Sequence, residues 1–209
     1  MMIDVQDATK VYALGDTQVE ALRGVSLAVA AGETLFLGGP SGSGKSTLAR
    51  SLGAHLNIPH YHLDAVMMLP GWQPRPFEDF KKRHDAIIEQ DAWVIEGAYS
   101  KTIPQRFARA DVVLFLDMNG VMCGLRFLKR TWQNRGKQRP ESAEGCVDTF
   151  SWDAIYHVTI KYTMLDYTLR RRPKYKQLLE KHAKGKYITL QGFKALNRFY
   201  SDYEISRRS

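Results

Sequence analysis

At 209 residues the chain is long enough for one sizeable hydrophobic core, alone or with an appendage. Its 44% hydrophobic and 25% charged residues belong to a folded soluble protein and exclude a disordered or fibrous one. No apolar run approaches the roughly 18 residues that span a bilayer, and the start lacks the basic-then-apolar order of a secretory signal. Two cysteines, Cys123 and Cys146, have no metal-ligand spacing and indicate a reducing setting, so the expected location is cytoplasmic. The net charge of +8 favours anionic partners, either nucleotide phosphates or nucleic acid. The basic excess gathers late, in Arg126–Arg139, in Arg170–Lys176 and at the closing Arg-Arg.

In residues 1–32, Ile3 and Val5 alternate with polar residues, Gly15-Asp16 marks a turn, and Val25, Leu27 and Val29 alternate again. This predicts two or three short strands forming an antiparallel β flap. Leu35–Leu37 reads as a buried strand. It runs into Gly39-Pro40-Ser41-Gly42-Ser43-Gly44-Lys45-Ser46-Thr47, a full match to G-x-x-x-x-G-K-[ST]. Leu48, Ala49, Leu52 and Leu56 then recur at helical spacing. Strand, glycine loop and helix in that order make a phosphate cradle, because inward-pointing N–H groups and a helix N-terminus both favour an anion. Lys45 is expected to reach the β- and γ-phosphates and Ser46 to sit on Mg²⁺, so the ligands are ATP and Mg²⁺.

Downstream, Ile58–Leu63, Trp93–Ile95, Val112–Leu116 and Tyr187–Leu190 are short apolar runs separated by helical patterns. Pro76–Glu89 places Phe77, Phe80, His84, Ile87 and Ile88 on one stripe. Residues 119–133 are predicted to bury Val121, Leu125, Leu128 and Trp132. Ser151 is predicted to cap a helix carrying Ile155, Tyr162 and Leu165, and Pro173 to start another that ends near Lys184-Gly185. The alternation predicts an α/β fold, a doubly wound parallel sheet with the phosphate loop after its central strand. Residues 33–209 form the main domain and 1–32 an extension.

Asp64, Glu96 and Asp117 stand at the carboxyl ends of predicted strands, where such sheets collect ligands. Asp64 is expected to bind an acceptor hydroxyl or take its proton, and Asp117 to cap the next helix. Arg126 and Arg130 lie four apart on one helix face. Asn134–Pro140 reads as a mobile polar loop within a lid spanning about 130–148. Guanidinium groups delivered by such a lid stabilise charge on a migrating phosphoryl group; Arg130 and Arg135 are the first candidates and Arg139 the third. Trp72 lines an acceptor pocket or anchors its loop. His60 and His62 alternate on a strand without a third ligand, which predicts packing rather than zinc.

Ile3 through Thr9-Lys-Val-Tyr12, Val19–Leu27 and Gly32-Glu33 to Leu48 resembles the start of an ABC-transporter ATPase domain. That resemblance implies that Tyr12 stacks on adenine. No L-S-G-G-Q signature, Gln loop or switch His follows, so transport is not expected.

From about Leu35 onward the chain resembles the FlaR-like, or topology modulation, family of adenylate-kinase-like P-loop proteins. The matching stretches are Leu48-Ala-Arg-Ser-Leu52, Ile58–Ala65, Pro70-Gly-Trp72, Trp93–Ser100, Arg109–Asp117, Arg130 with Asn134–Pro140, and Glu144-Gly-Cys146. This second resemblance implies a five-stranded sheet in the order 2-3-1-4-5 and an Arg-rich lid. It also implies that Glu96 holds Mg²⁺-bound water and that Arg106 faces the acceptor. Together the two resemblances make the chain look like a chimera of two P-loop lineages joined at the phosphate loop. The expected function is a kinase moving the γ-phosphate of ATP–Mg²⁺ to a nucleoside, nucleotide or other hydroxyl compound. The alternatives are a nucleic-acid-associated ATPase and a non-transporting ABC-like fragment. A membrane partner is not expected, and no motif speaks to oligomeric state.

Overall fold

The computed structural model describes residues 3–14, 17–29, 32–139, 141–148 and 155–207; for 3–29, 155, 157, 158 and 160–162 only the backbone is described. The chain opens with β1 (Ile3–Leu14) and β2 (Thr17–Val29), antiparallel from Ile3↔Val29 to Leu14↔Thr17. The short strands expected there are therefore one long hairpin. The Gly15-Asp16 turn, the Ser151 cap and the side chain of Tyr12 lie outside the described residues.

The main sheet follows, with β3 (Thr34–Gly38), α1 (Lys45–Leu56), β4 (His60–His62) and α2 (Leu63–Met67). A two-stranded ribbon of β5 (Met68–Leu69) and β6 (Gln73–Pro74) leads into α3 (Phe77–Ile88), β7 (Trp93–Glu96), α4 (Ile103–Arg109) and β8 (Val112–Asp117). After α5 (Gly120–Gln133) and the described part of the lid, a π-helix (Ile155–Arg171) runs directly into α6 (Arg172–His182), β9 (Tyr187–Gln191) and α7 (Gly192–Asp202). The five strands are ordered β4-β7-β3-β8-β9 and every pairing is parallel. Counting only these strands, that is the expected 2-3-1-4-5, with the phosphate loop leaving the central one.

Both faces of a wound parallel sheet are covered by helices, so both parities along each strand must be apolar. Leu35, Leu37, Val94, Leu114 and Leu116 pack with Leu48 and Leu52 of α1 and Phe199 of α7. Phe36, Trp93, Ile95, Val113 and Phe115 pack with Phe80 of α3, Phe107 of α4 and Leu179 of α6. The α3 stripe falls as expected, with Phe80, His84, Ile87 and Ile88 buried.

Three expectations are corrected. Val121, Leu125 and Trp132 of α5 are 52%, 52% and 60% exposed, and the helix instead buries Gly120, Cys123, Gly124 and Thr131. The cause is close approach: a methyl on Gly120 would stand 2.7 Å from the Thr163 carbonyl oxygen, and one on Gly124 2.6 Å from Met164 Cε. Leu165, on the π-helix, is exposed. Secondly, Asp117 does not cap α5. Asn119 does so, its Oδ1 accepting from the Val121 and Met122 amides at 2.9 and 3.2 Å. Asp117 shares strand parity with Val113 and Phe115, so its buried carboxylate points towards α6 and pairs with Arg172 (Nη2–Oδ2 2.9 Å) and Lys176 (Nζ–Oδ2 3.0 Å). Thirdly, the supposedly mobile stretch after Asn134 is tied down. Gly136 N donates to Asp148 O, Asp148 N donates to Lys137 O, and Gln138 bridges Val147.

The Asp117 cluster carries a stability prediction. Either cation alone can neutralise the buried carboxylate, whereas losing both strands it. Arg172→Ala and Lys176→Ala should each cost little, and the double variant about 3 kcal/mol, the low end for a buried charge stripped of its partners. Denaturant unfolding of the three variants measures this, and simple additivity of small losses would count against it.

Candidate nucleotide and transfer site

The loop between β3 and α1 is shaped by glycine and braced from outside. Gly42 has φ +79°, and a Cβ there would lie 2.2 Å from the Cys123 carbonyl oxygen of α5. Arg126 Nε donates to the Gly42 carbonyl at 3.1 Å. Ser43 N donates to Pro40 O at 3.2 Å, and Leu48 N to the carbonyl of Gly44, the residue that starts α1. Ser43 Oγ is buried with no hydrogen-bond partner among the described residues. The loop of Gly39, Pro40, Ser41, Gly42, Ser43, Gly44, Lys45, Ser46 and Thr47 is thus a tight turn between β3 and α1, with positive φ at Gly39, Gly42 and Gly44 and a brace from α5.

At its centre stands Glu96, the last residue of β7. Register sets its direction: Leu37 pairs with Glu96 and Glu96 with His62, so all three side chains project to the α1 side. Ser46 Oγ donates to Glu96 Oε1 at 3.0 Å, His62 Nδ1 lies 2.7 Å from the same oxygen, and Lys45 Nζ is 3.5 Å from Oε2. Burial alone would raise this carboxyl. The Lys45 ammonium and the hydrogen bonds from His62 and Ser46 outweigh it and hold the group well below the usual carboxylate range. Ionised, it only accepts, so the proton on the shared bond belongs to His62 Nδ1. Glu96 Oε2 is buried and has no hydrogen-bond partner among the described residues. A carboxylate oxygen that makes no hydrogen bond and only the 3.5 Å ion pair to Lys45, with the Ser46 hydroxyl on the same carboxylate, is a hard-oxygen donor set that fits Mg²⁺.

Asp64, in the first turn of α2, is exposed, and its Oδ1 accepts from the Tyr99 hydroxyl at 2.9 Å. Tyr99 sits at φ +29° in the loop after Glu96. Burial and the neighbouring Asp64 both push its phenol up, so it stays protonated and donates. Beneath that loop lies Arg106, which is fully buried and does not reach an acceptor. Its Nη2 donates to Ala98 O at 2.6 Å, its guanidinium stacks on Phe36 at 4.8 Å, and Nε and Nη1 have no hydrogen-bond partner among the described residues. Burial pulls its pKa down to about 10, so it remains a cation at neutral pH. Arg106 therefore shapes the loop that carries Tyr99.

The lid arginines separate by role. Arg130 is half-buried, 5.2 Å from the Phe127 ring; burial and the neighbouring Arg139 lower its pKa, against the opposing pull of Asp148, Glu96 and Asp64. Arg135 is exposed over the Trp132 ring at 5.3 Å. Arg139 pairs with Asp148 at 2.7 Å and fastens the lid. Trp72 also fastens rather than lines: its Nε1 donates to Val147 O at 2.8 Å, and Gly71 N donates to Gly145 O. Sequence reasoning did not single out Tyr99, placed Arg126 only on one helix face with Arg130, and read His62 as packing. The alternation of His60 and His62 beside a strand ending in Glu96 was the available signal, and strand register was needed to use it. A small cavity of about 70 Å³ lies between Gly44, Thr47, Arg126 and Phe193, with the Arg126 guanidinium 4.2 Å from the Phe193 ring centre.

Known proteins resemble separate parts of this chain. The family model for ABC transporters matches residues 22–66. The chain is 48% identical over 58 residues to the macrolide export ATP-binding/permease protein MacB of Bdellovibrio bacteriovorus, covering 28% of this chain and 9% of that protein. It is 50% identical over 52 residues to the lipoprotein-releasing system ATP-binding protein LolD of Geobacter metallireducens, covering 25% and 23%. The match thus spans less than a quarter of these relatives' length. Among solved structures, a gluconokinase from Sinorhizobium meliloti 1021 overlaps 84% of the chain and 96% of its own at 13% identity and a TM-score of 0.45. A shikimate kinase from Acinetobacter baumannii in complex with shikimate does so over 84% and 96% at 16% identity and 0.47. Overlaps this loose assign no acceptor. No helix among the described residues is long and apolar enough to cross a membrane. On its phosphate loop, the site geometry and the 22–66 match, the chain is a P-loop ATP-binding protein.

Proposed function

We propose that the chain is a FlaR-like P-loop kinase that transfers the γ-phosphate of ATP to a hydroxyl of a small acceptor, with an ABC-like segment, residues 1–32, preceding the kinase domain, 33–209. The observation that carries this reading is Asp64: an exposed carboxylate just past the end of β4, the strand paired with the one that ends in Glu96, and held by the Tyr99 hydroxyl of the loop that follows Glu96. An ATPase that uses only water has no need of a second, separately oriented acid on that side.

Bound Mg²⁺ supplies charge neutralisation between the β- and γ-phosphates, and Ser46 and Glu96 are the residues that would hold it. Lys45, paired with Glu96, faces the same phosphates. Asp64 accepts the proton of the acceptor hydroxyl, and the Tyr99 hydroxyl keeps one carboxylate oxygen occupied so that the other faces the acceptor. Arg130 stabilises charge on the migrating group from a site already stripped of much of its water. Because Arg126 already lies against the Phe193 ring, the base packs beside that pair, at the cavity lined by Gly44, Thr47 and Phe193.

Acceptor screening by coupled ADP release should find a hydroxyl compound that raises turnover above the water background. Asp64→Asn should then lower turnover about 10²–10⁴-fold with ATP affinity unchanged, whereas Lys45→Ala should lose ATP binding. Failure of every acceptor, with Asp64→Asn inert, would sink the kinase reading.

For the base slot, Phe193→Ala should weaken ATP binding by about 1–3 kcal/mol, as for other base–aromatic stacks. Titration calorimetry on Phe193→Ala and Tyr12→Ala decides the point; a loss confined to Tyr12→Ala moves the base onto the hairpin.

The 22–66 match favours a second reading, an ABC-like ATPase fragment. It requires ATP-driven pairing of two chains. Sedimentation velocity with and without ATP should show no such pairing under the kinase reading, and an ATP-dependent dimer would favour the fragment.

A further inference from the structure

The outward face of α5 is apolar. Val121, Leu125 and Trp132 are each more than half exposed, and Met122 is half exposed. At about 100° per residue Val121, Trp132 and Leu125 fall within about 40° of one another, a stripe about 17 Å long. Cys123, whose carbonyl abuts Gly42, lies about 180° round the helix from that stripe. The stripe therefore looks away from the phosphate loop, and covering it leaves the nucleotide site open. The π-helix that packs on Gly120 and Gly124 adds Leu165 and Leu169, both more than half exposed. Apolar side chains gathered in this way on a folded domain mark a docking face.

Charge selects the occupant. From Asn119 to Pro140 the chain carries six cations and no Asp or Glu. Lys129, Arg135 and Lys137 are exposed. Lys129 follows Leu125 by one turn, and the Arg135 guanidinium lies 5.3 Å from the Trp132 ring centre. Acids further along the chain are already taken, Glu141 by Arg50, Asp148 by Arg139 and Asp166 by Arg171. Two copies of the chain meeting through this face would press like charges together. Nucleic acid would answer the cations but leave the apolar side chains without anything to bury against. An anionic bilayer surface answers both, because its headgroups take Lys and Arg while the boundary below them takes Trp and Leu.

We propose that the α5 face docks the protein peripherally on an anionic lipid surface. Val121, Leu125 and Trp132 enter the boundary between headgroups and acyl chains, and Lys129, Arg135 and Lys137 meet the lipid phosphates. At 14 residues α5 is too short to cross a bilayer, so it lies in the plane of the surface. The phosphate loop then faces away from the lipid. This docking is independent of the transfer reaction and of bound nucleotide.

The test sediments the full chain with vesicles of phosphatidylcholine alone and of phosphatidylcholine mixed with phosphatidylglycerol. The protein should pellet with the mixed vesicles only, and less of it as salt is raised. Leu125→Gln should weaken this binding about 10-fold, the burial of one leucine, and Lys129→Gln about 5-fold, the attraction of one lysine to an anionic surface. Both positions are exposed, so each variant should bind ATP as before, which checks that it is folded. Brominated acyl chains should quench the tryptophan emission, and the quenching should fall in Trp132→Phe. Failure to pellet with the mixed vesicles overturns the proposal, as does equal pelleting with both kinds. Binding that Lys129→Gln weakens and Leu125→Gln leaves intact is charge attraction alone and overturns it too. A dimer in sedimentation velocity that Leu125→Gln dissolves would put a second copy on the face instead of lipid.

Discussion

A single buried charge organises the active half of this molecule. The Glu96 carboxylate sits at the end of a strand walled in on both sides, where a lone charge is costly, and three groups converge to make it tolerable: the Lys45 ammonium, the Ser46 hydroxyl and the His62 imidazole. Each comes from a different place in the chain. Lys45 and Ser46 open α1, His62 ends the edge strand, and Glu96 ends the strand between that edge and the centre. The carboxylate therefore fixes the phosphate loop relative to two strands and holds the edge of the sheet in register. A one-residue slip of β4 against β7 would turn His62 to the other face and leave Glu96 short of a donor.

The side of the site that carries Asp64 is built on a different principle. Asp64 is exposed and held only by Tyr99, whose backbone is in turn held by Arg106 from below. A buried arginine with two unused nitrogens is an expensive way to support a loop. It allows the two carbonyls after Gly97 to face inward without a helix or strand to receive them. Precision near the reacting groups here comes from a charge beneath the loop, whereas precision at the phosphates comes from glycine geometry and a brace from α5.

Much of this was legible in the residues. The phosphate loop announces itself by spacing alone. The apolar runs Leu35–Leu37, Trp93–Ile95 and Val112–Leu116 are continuous because both strand parities are buried, and that continuity marks the parallel sheet. What escaped depended on direction. Asp117 and Glu96 look alike at the ends of the two strands that flank β3, yet one faces α6 and the other the phosphate loop, a difference of parity that only the pairing register reveals. The α5 prediction chose the large apolar stripe of Val121, Leu125 and Trp132, whereas the packing chose Gly120 and Gly124, because small residues let the π-helix come close. His62 was read as filler since its partner lies 34 positions away. Arg106 was expected, from the second resemblance, to face the acceptor, and nothing in its local sequence distinguishes a guanidinium that supports a loop from one that meets a ligand.

The contact between Gly42 and the Cys123 carbonyl sets a mechanical limit. With no room for even a methyl group between them and with Arg126 clasping the same residue, the phosphate loop and the first two turns of α5 share a boundary without slack. The two must travel as one body. Any rearrangement of residues 134–148 is therefore confined to the chain beyond that junction, from about the end of α5 onward.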